Sequence, residues 1–482
     1  MLKFTIFIRT ALLISLLSAC TVGENYVRPK LNTPLSFKEQ QDWKGAEPRD
    51  DIPRTKWWEM YGDIELNSLV SQIEVTNQNI MAIEAQYRQA RAVTNEAEAA
   101  YYPTVTVGLT TTRSLPASNT NNALNYTPNY NTAYRTSVNA SWIPDIWGSI
   151  KRNVEAGNNA MQASAGDIGA AKLSAQAQLA QDYFSLRISD VRAQLLNSTV
   201  SAYEKTLQIS VNQYAAGIAQ RSDILFAESQ LKSTKALAVD VGVKRAQLEH
   251  AIAILIGKSP SEFSIKPLSG PYVPTLPAIP LGIPSQLLER RPDIAAAERR
   301  VAQANANVGV AEAAFYPSLT ISSTLGSQST SFSKWLTYPS RFWSLGPAAI
   351  TQPLFNGGLL KAQKAQAIGV YDEKVANYRQ SILTAFQEVE DNLAALRILE
   401  QESQLENEAT AAAKKSLEIT MNQYQAGTVN YLNVVISQAN ALNNEITALG
   451  IQNNRLVASV VLITSLGGDW NSTELNNKSS KK

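Results

Sequence analysis

Two long stretches without proline carry apolar residues at helical spacing. They run from Asp145 to Ser259 and from Leu354 to the C-terminus. Spacings of three and four positions recur in both and predict long helices that pack along narrow seams. The series are Leu196, Val200, Tyr203, Leu207, Val211 and Tyr214, then Leu442, Ile446, Leu449, Asn453, Leu456, Val460 and Ile463. Gly217 and Gly427 lie near the middle of each stretch and predict a helix end followed by a reversal.

Two segments between the helical stretches alternate apolar and polar residues with the period of a β-strand. They predict hairpins at about 103–144 and about 317–353, with strands of roughly ten residues. Trp142, Trp335 and Trp343 lie close by, and an aromatic rim is typical of membrane-barrel strands. The alternative is a pair of edge hairpins in a soluble domain.

Membrane strands from a single copy of this chain are too few to close a barrel. Open strand edges would leave unpaired backbone N–H and C=O groups in lipid, at several kcal/mol each. Known single-chain barrels begin at about eight strands. If the strands span the membrane, copies must therefore share one barrel, and three copies with twelve strands leave room for a channel.

The chain is an internal tandem repeat. The segment 97–103 returns at 311–317, and the segment 211–217 returns at 421–427. The offsets of 214 and 210 residues indicate a duplicated domain rather than an array of short repeats. Eight of the twenty prolines lie between Pro260 and Pro292 and predict an extended connector. The predicted divisions are a signal peptide (1–19), an extended segment (20–58), repeat 1 (59–265), a Pro-rich connector (266–284), repeat 2 (285–470) and a flexible tail (471–482).

The first twenty residues resemble a bacterial lipoprotein signal. Lys3 and Arg9 accompany a short apolar core that is too short to span a bilayer. The core ends in Leu17-Ser18-Ala19-Cys20, and Cys20 is the chain's only cysteine. We therefore predict cleavage before Cys20 and lipid attachment to its sulfur. The alternative is a free thiol in an ordinary signal peptide.

Composition excludes several classes of activity. One Cys and one His are too few for a Cys/His zinc site. The formal net charge of +2, without a basic stripe, gives no reason to expect nucleic acid. No nucleophile–base pair is evident, so we expect no enzyme activity, no cofactor and no bound metal.

Six motifs along the chain occur together. They are the Cys20 signal, Leu288-Glu289-Arg290-Arg291-Pro292-Asp293-Ile294, Phe315-Tyr316-Pro317-Ser318-Leu319, Pro353-Leu354-Phe355-Asn356-Gly357-Gly358, the Gln-Tyr-x-x-Gly segments at 213 and 423, and Leu466-Gly467-Gly468-Asp469-Trp470. With this set the chain resembles the bacterial outer-membrane efflux factors, the outer-membrane channel lipoproteins of tripartite resistance-nodulation-division drug efflux pumps.

The resemblance implies a mainly α fold with membrane β-structure. The long antiparallel helices would form a periplasmic α-barrel, and the two hairpins would contribute to a twelve-stranded outer-membrane barrel shared by a homotrimer. The implied partners are a periplasmic adaptor (membrane fusion) protein, an inner-membrane proton-driven transporter of the resistance-nodulation-division class, and outer-membrane lipid. The implied role is a passive exit duct that contributes to antibiotic resistance.

The resemblance also places the adaptor contacts and the periplasmic aperture at the two reversals. The implied adaptor-contacting residues are Gly217, Ile218, Ala219, Gln220, Gly427, Thr428, Val429 and Asn430. Relatives commonly ring the aperture with Asp and Arg from the second repeat, but residues 432–440 carry no charge here. We therefore predict an apolar gate of Leu432 and Ile436, supported by hydrogen bonds from Tyr424, Asn433, Ser222 and Asp223. The alternative is that Leu432 and Ile436 only pack between helices.

The sequence is also compatible with other functions. Within the family, the chain is also compatible with an exit duct for type I secretion or for metal-ion efflux. From a different class, a periplasmic coiled-coil scaffold held only by lipid on Cys20 would need no lipid-facing strands.

Overall fold

The computed structural model describes residues 21–30, 34, 36–40, 56–115, 130–272, 274–279, 290–471 and 475. The predicted signal peptide and its lipidation site, Cys20, lie outside the described residues, as does most of the predicted tail. The chain divides into two compact units. The first comprises Met1–Lys30, Tyr87–Ala163 and Ala297–Tyr378, and the second comprises Leu31–Gln86, Ser164–Ala296 and Arg379–Lys482.

Seven helices of more than eight residues occur in the described part of the chain. They are α1 (Ile64–Thr76), α2 (Gln78–Ala99), α3 (Ser149–Ala215), α4 (Arg221–Leu255), α5 (Pro292–Ala313), α6 (Leu359–Gln425) and α7 (Tyr431–Ser465). Helices α3 and α6 each have 67 residues, about 100 Å at 1.5 Å per residue. Helices α4 and α7 each have 35. The mainly helical architecture and the internal repeat are therefore confirmed.

Four strands in the first unit form one antiparallel sheet. They are β1 (Thr104–Ser114), β2 (Asn131–Trp142), β3 (Ser318–Ser329) and β4 (Arg341–Thr351), in the order β1-β2-β3-β4. Each repeat supplies one hairpin, and β2 pairs with β3. The β3–β4 ladder contains a bulge between Ile321 and Ser323. Strands β1 and β4 are the two edges, so each leaves one side of its backbone unpaired within the sheet.

The second unit has a core in which aromatic residues of the short helix Trp57–Tyr61 meet α3 and α7. Tyr61 packs against Phe184 with ring centroids 4.8 Å apart, and its hydroxyl lies 2.8 Å from the Ser459 hydroxyl. Helix α7 is long and apolar enough to cross a membrane by length and composition. Apolar residues in its C-terminal half nevertheless belong to this core, because Leu456, Val460 and Leu462 are all buried.

Candidate functional site

The β-sheet has one apolar face. The register aligns Val107, Val138, Leu325 and Trp343 in a single row across all four strands. Most other members of this face are also apolar, namely Val105, Leu109, Ala140, Trp142, Leu319, Ile321, Leu345, Ala348 and Ile350. Val107 is 75% exposed and Trp343 is 77% exposed. The described part of a single chain therefore leaves a large apolar surface uncovered, which in proteins marks a contact with lipid or with another chain.

The opposite face of the same sheet is polar. One row consists of Thr106, Asn139, Thr324 and Ser344, and the Thr324 hydroxyl donates to Asn139 Oδ1 at 3.0 Å. Further members are Thr104, Thr110, Thr112, Ser137, Ser141, Thr320, Gln328 and Thr351. An apolar face for lipid and a polar face for water is the pattern of membrane-barrel strands. At 11 or 12 residues, each strand is also long enough to span a bilayer, which takes about 9–11.

Aromatic residues border the apolar face at both ends of β2. At one end, Trp142 Nε1 donates to the Tyr101 carbonyl at 3.0 Å. At the other end, Tyr134 packs against Phe332 and Trp335, with ring centroids 5.4 and 6.3 Å away. Eight residues separate Trp142 from Tyr134, or about 26 Å along the strand at 3.3 Å per residue. At the tilt of about 35–45° that barrel strands have, this length corresponds to about 20 Å across the membrane, somewhat less than the apolar band of about 25 Å.

The segment that follows Cys20 is fixed to helices of the first unit. The Val22 N–H donates to the Trp147 carbonyl at 3.0 Å. The buried Arg152 guanidinium donates to the carbonyls of Val22 at 3.2 Å and Gly23 at 2.7 Å. The predicted lipid on Cys20 would therefore begin one residue away from a chain segment whose position is set by backbone hydrogen bonds.

In the second unit, both helix reversals are built in the same way. Gly217 and Gly427 follow α3 and α6, and each has φ = +74°, a conformation in which a side chain is strained. The next helices begin at equivalent caps. Gln220 and Asp223 form a capping box at α4, while the Asn430 side chain accepts the Asn433 N–H at α7.

The residues predicted to contact an adaptor occupy these reversals. Most are exposed, and Ala219 and Val429 are half-buried at matching positions of the two repeats. The exposed ones are Gly217, Ile218, Gln220, Gly427, Thr428 and Asn430. Both reversals thus present short, largely uncovered loops of the kind that a partner protein can grip.

The two apolar residues predicted for the gate are half exposed. Leu432 is 49% exposed and Ile436 is 51% exposed, one turn apart on α7. Neither side chain is buried between helices of the described chain. The exposed stripe of α7 continues with the uncharged Asn440, Asn443 and Thr447.

The hydrogen-bonding residues predicted for the aperture divide into two groups. Asn433 and Ser222 are exposed, and Asp223 is half-buried in its capping box. Tyr424, in contrast, is 3% exposed and turned into the protein. Its hydroxyl lies 3.1 Å from the Ser210 hydroxyl, and burial, opposed by that hydrogen bond, raises its pKa.

Sequence reasoning missed the partner of Tyr424, which is Tyr431 at the start of α7. The ring centroids are 5.3 Å apart, and Tyr431 is 1% exposed. Together with Ala227 and Val434 these rings form a cluster, which we call the reversal core. The heptad pattern could not have found this partner, because the series of α7 continued backwards from Leu442 reaches positions 439, 435 and 432 and misses Tyr431 by one residue.

The Arg-Arg-Pro-Asp motif forms a structural ion-pair cluster. Arg291 donates to Asp293 at 2.8 Å, to Glu388 at 2.6 Å and to the Ser465 carbonyl at 3.2 Å. Burial opposes the charge of Arg291, but the hydrogen bonds and negative charges of Asp293 and Glu388 outweigh it and raise its pKa. The described residues contain no group of three or more His, Cys, Asp or Glu side chains placed to hold a metal ion.

Comparison with known proteins identifies one family, and both repeats match its model. The family model for outer membrane efflux proteins matches residues 69–258 and 283–468, one match in each repeat. The cation efflux system protein CusC of Escherichia coli O6:H1 is 27% identical over 94% of this chain and 96% of its own length. The pyoverdine export outer membrane protein OpmQ of Pseudomonas aeruginosa is 27% identical over 95% of this chain and 97% of its own length.

A solved structure gives the same result. The outer-membrane channel OprN has a TM-score of 0.86 and 26% identity, covering 93% of this chain and 99% of its own. The expectations of an efflux function and of an outer-membrane location are confirmed. The chain belongs to the outer membrane efflux protein family.

Proposed function

We propose that three copies of this chain form the exit duct of a tripartite multidrug efflux pump. The main support for this proposal is the four-stranded sheet, which has two open edges and one uncovered apolar face. Backbone edges that face lipid must be paired, so the sheet needs other copies to complete a barrel. Four strands from each of three copies make a twelve-stranded barrel wide enough for a channel.

The same observation argues against a periplasmic scaffold held only by lipid. A soluble hairpin exposes polar residues on its open face, whereas this sheet exposes a row of Val, Leu and Trp. We further propose that the duct has no catalytic activity of its own, that an adaptor binds the two reversals, and that a proton-driven inner-membrane transporter supplies the energy.

The barrel is tested with a Cys20→Ser variant, which removes the lipid anchor and leaves the strands intact. We expect this variant to require detergent, to migrate as a trimer in native mass spectrometry and to form pores in planar bilayers. A freely soluble monomer without pores would contradict the channel and favour the scaffold.

We also propose that closure of the duct rests on an apolar ring of Leu432 and Ile436. Three copies bring six such side chains to one aperture, and apolar constrictions block ions by dewetting. The absence of charge from residues 432–440 supports this type of gate over an ionic latch.

The gate is tested by single-channel conductance of Leu432→Ala and Ile436→Ala. We expect each to raise conductance, because removal of apolar bulk widens and wets the constriction. The matched control is Phe226→Ala, which removes a 49% exposed side chain at the position of repeat 1 equivalent to Ile436. An increase in Asp223→Ala, with none in the two α7 variants, would instead support an ionic gate.

The partners are tested by co-purification from cells that express an adaptor and a transporter of the resistance-nodulation-division class. Substitution of Ile218 and Thr428, which are exposed on the two reversals, should reduce recovery of the adaptor without disrupting the trimer. Undiminished recovery would place the adaptor elsewhere. Among relatives, CusC is a cation efflux protein and OpmQ is a pyoverdine export protein, so members of the family differ in their cargo.

A further inference from the structure

The strand segments of this chain carry positive charges and no negative ones. Between Pro103 and Pro144 the charged residues are Arg113 and Arg135, and between Pro317 and Pro353 they are Lys334 and Arg341. Neither segment contains Asp or Glu, although the whole chain is nearly balanced at 43 basic and 41 acidic residues. The barrel-forming part is therefore far more basic than the protein around it.

The register assigns these arginines to different faces of the sheet. Arg113 follows Leu109 and Thr111 on the apolar face of β1, and Arg341 pairs with Ser327 on the same face. Each of these two guanidiniums lies over a tyrosine ring, at 4.6 and 5.5 Å from the centroid. Arg135 is different, because it pairs with Thr110 and Gln328 on the polar face.

The polar face holds Arg135 in a built position. Gly326 lies beneath the Phe342 ring, and a Cβ atom at Gly326 would come within 2.8 Å of Phe342 Cζ. The absence of a side chain there lets the ring lie close to the sheet. The Arg135 guanidinium lies over the same ring, 4.9 Å from the Phe342 ring centroid. This cation–π contact keeps the charge near the wall, and the flanking residues are uncharged.

We propose that Arg135 makes the outer part of the duct selective for anionic and uncharged solutes over cationic ones. This inference rests on the proposed trimer, in which the polar face lines the lumen and three Arg135 side chains form one ring. A pore lined by charges of one sign raises the local concentration of counter-ions. The described strands place no carboxylate on this face to cancel the ring.

The ring acts through its field rather than by binding cargo. At about 0.1 M salt, charges are screened over roughly 10 Å, a distance comparable with the radius of such a pore. The selectivity should therefore be large at low ionic strength and small at about 1 M salt, where the screening length falls to roughly 3 Å.

The test is the reversal potential of single trimers in a planar bilayer under a potassium chloride gradient. The wild-type channel should favour chloride, and Arg135→Gln should lower the chloride-to-potassium permeability ratio by at least about twofold at low salt. Arg135→Lys keeps the charge and should retain most of the preference. Arg113→Gln and Arg341→Gln remove the same charge from the apolar face and should leave the ratio unchanged.

Each outcome separates this inference from the proposed duct. Pores whose permeability ratio is the same in Arg135→Gln and wild type would overturn the role of Arg135. An equal shift in Arg113→Gln would also overturn it, because the effect would then come from net charge and not from the lumen. Absence of pores in the wild-type trimer would instead contradict the duct itself. Native mass spectrometry establishes that each variant is trimeric before its currents are compared.

Discussion

The hairpin of α3 and α4 and the hairpin of α6 and α7 have the same backbone and different surfaces. Their helices have identical lengths, and their reversal glycines share φ = +74°. Yet α4 carries nine charged residues and α7 carries two, Glu445 and Arg455. The repeat therefore preserved the elements that set backbone direction, while the side chains on the second helix diverged.

The divergence is clear at the reversals, where residues that are exposed in repeat 1 have buried equivalents in repeat 2. Tyr214 is 46% exposed in repeat 1, while Tyr424 is buried in repeat 2. Likewise Arg221 is exposed at the start of α4, and Tyr431 is buried at the start of α7. The two reversals therefore differ in what their side chains do: the one in repeat 1 keeps a charged residue in solvent, and the one in repeat 2 supplies a buried aromatic cluster.

Away from the reversals the two hairpins share an ion pair. Arg245 pairs with Asp190 at 2.6 Å in repeat 1, and Arg455 pairs with Glu400 at the equivalent positions of repeat 2. Both pairs join the second helix of the hairpin to the first. Both repeats therefore keep the charged residues that join the two helices of a hairpin, while the exposed start of α7 has no charged residues.

The strongest test of the comparison introduces the repeat 1 residue into the reversal core. Tyr431→Arg would force a cation among Tyr424, Ala227 and Val434, and we expect a loss of about 3–5 kcal/mol in local stability. Hydrogen exchange of the amides in residues 420–440 measures it. The control, Arg221→Tyr, places an aromatic ring at an exposed site and should change stability by less than about 0.5 kcal/mol. Equal effects of the two variants would mean that the reversals are equivalent after all.

A second test compares how each repeat ties the C-terminal end of its second helix. Asn77 donates to the Leu255 carbonyl at 2.8 Å in repeat 1, and Arg291 donates to the equivalent Ser465 carbonyl in repeat 2. We expect Arg291→Ala to lower the free energy of unfolding by about 2–3 kcal/mol, because it removes charged hydrogen bonds. The loss is not larger, since the carboxylate partners of Arg291 can regain water. Asn77→Ala should cost about 1–2 kcal/mol, since it also removes the N-cap of α2.

Denaturant unfolding of the detergent-solubilised protein distinguishes these two variants. The charged tie should weaken as salt is raised, and the amide tie should not. A salt-independent loss in Arg291→Ala would show that packing, and not charge, holds the end of α7.

These elements differ in how far the sequence alone predicts them. Proline-free runs, heptad spacing and the reversal glycines predict the long helices, because each signal is local. Alternation predicts strands at 103–144 and 317–353, and the structure has strands at Thr104–Ser114, Asn131–Trp142, Ser318–Ser329 and Arg341–Thr351. The two faces of the sheet follow from the same alternation once the register is known.

Other features depend on contacts between distant parts of the chain and leave little trace in a single sequence. Tyr424 is aromatic and polar, as expected of an aperture residue, but its hydroxyl forms a hydrogen bond with Ser210, 214 residues away in the chain. Arg135 and Phe342 come together only because β2 pairs with β3 and β3 pairs with β4. The contact also depends on the strand register, which places Gly326 beneath the Phe342 ring.

A smaller effect is expected at the glycine that ends α6. Gly427→Ala should destabilise the protein by about 1 kcal/mol, because a side chain at φ = +74° meets its own backbone. Gly450→Ala is the matched control, since Gly450 lies inside α7 with open space around its Cβ position. That change should stabilise the protein by about 0.5–1 kcal/mol through helix propensity. Thermal unfolding of both variants measures the difference, and a shift of the same sign in the two would contradict the role of Gly427 as a helix end.

The smallest expected effect concerns an ion pair whose charges are reversed between the repeats. Lys235 of α4 pairs with Glu204 of α3 at 2.7 Å, and Glu445 of α7 pairs with Lys414 of α6 at the equivalent positions. Each exposed pair is worth only about 0.2–1 kcal/mol. Because the charges are reversed, however, the lysine of α4 would face the lysine of α6 if the helices were exchanged, and the glutamate of α7 would face that of α3. This repulsion disfavours exchange of helices between two hairpins of the same length.

Reversal of single and paired charges tests this discrimination. Lys235→Glu should lower stability by about 0.5–1 kcal/mol, because it places two carboxylates together. Adding Glu204→Lys should restore the loss and give repeat 1 the charge order of repeat 2. With both hairpins carrying the same order, the double variant should refold to native protein in lower yield at unchanged stability, since the charges no longer distinguish correct from exchanged helix partners. A wild-type yield would mean that the core seams alone select the helix partners.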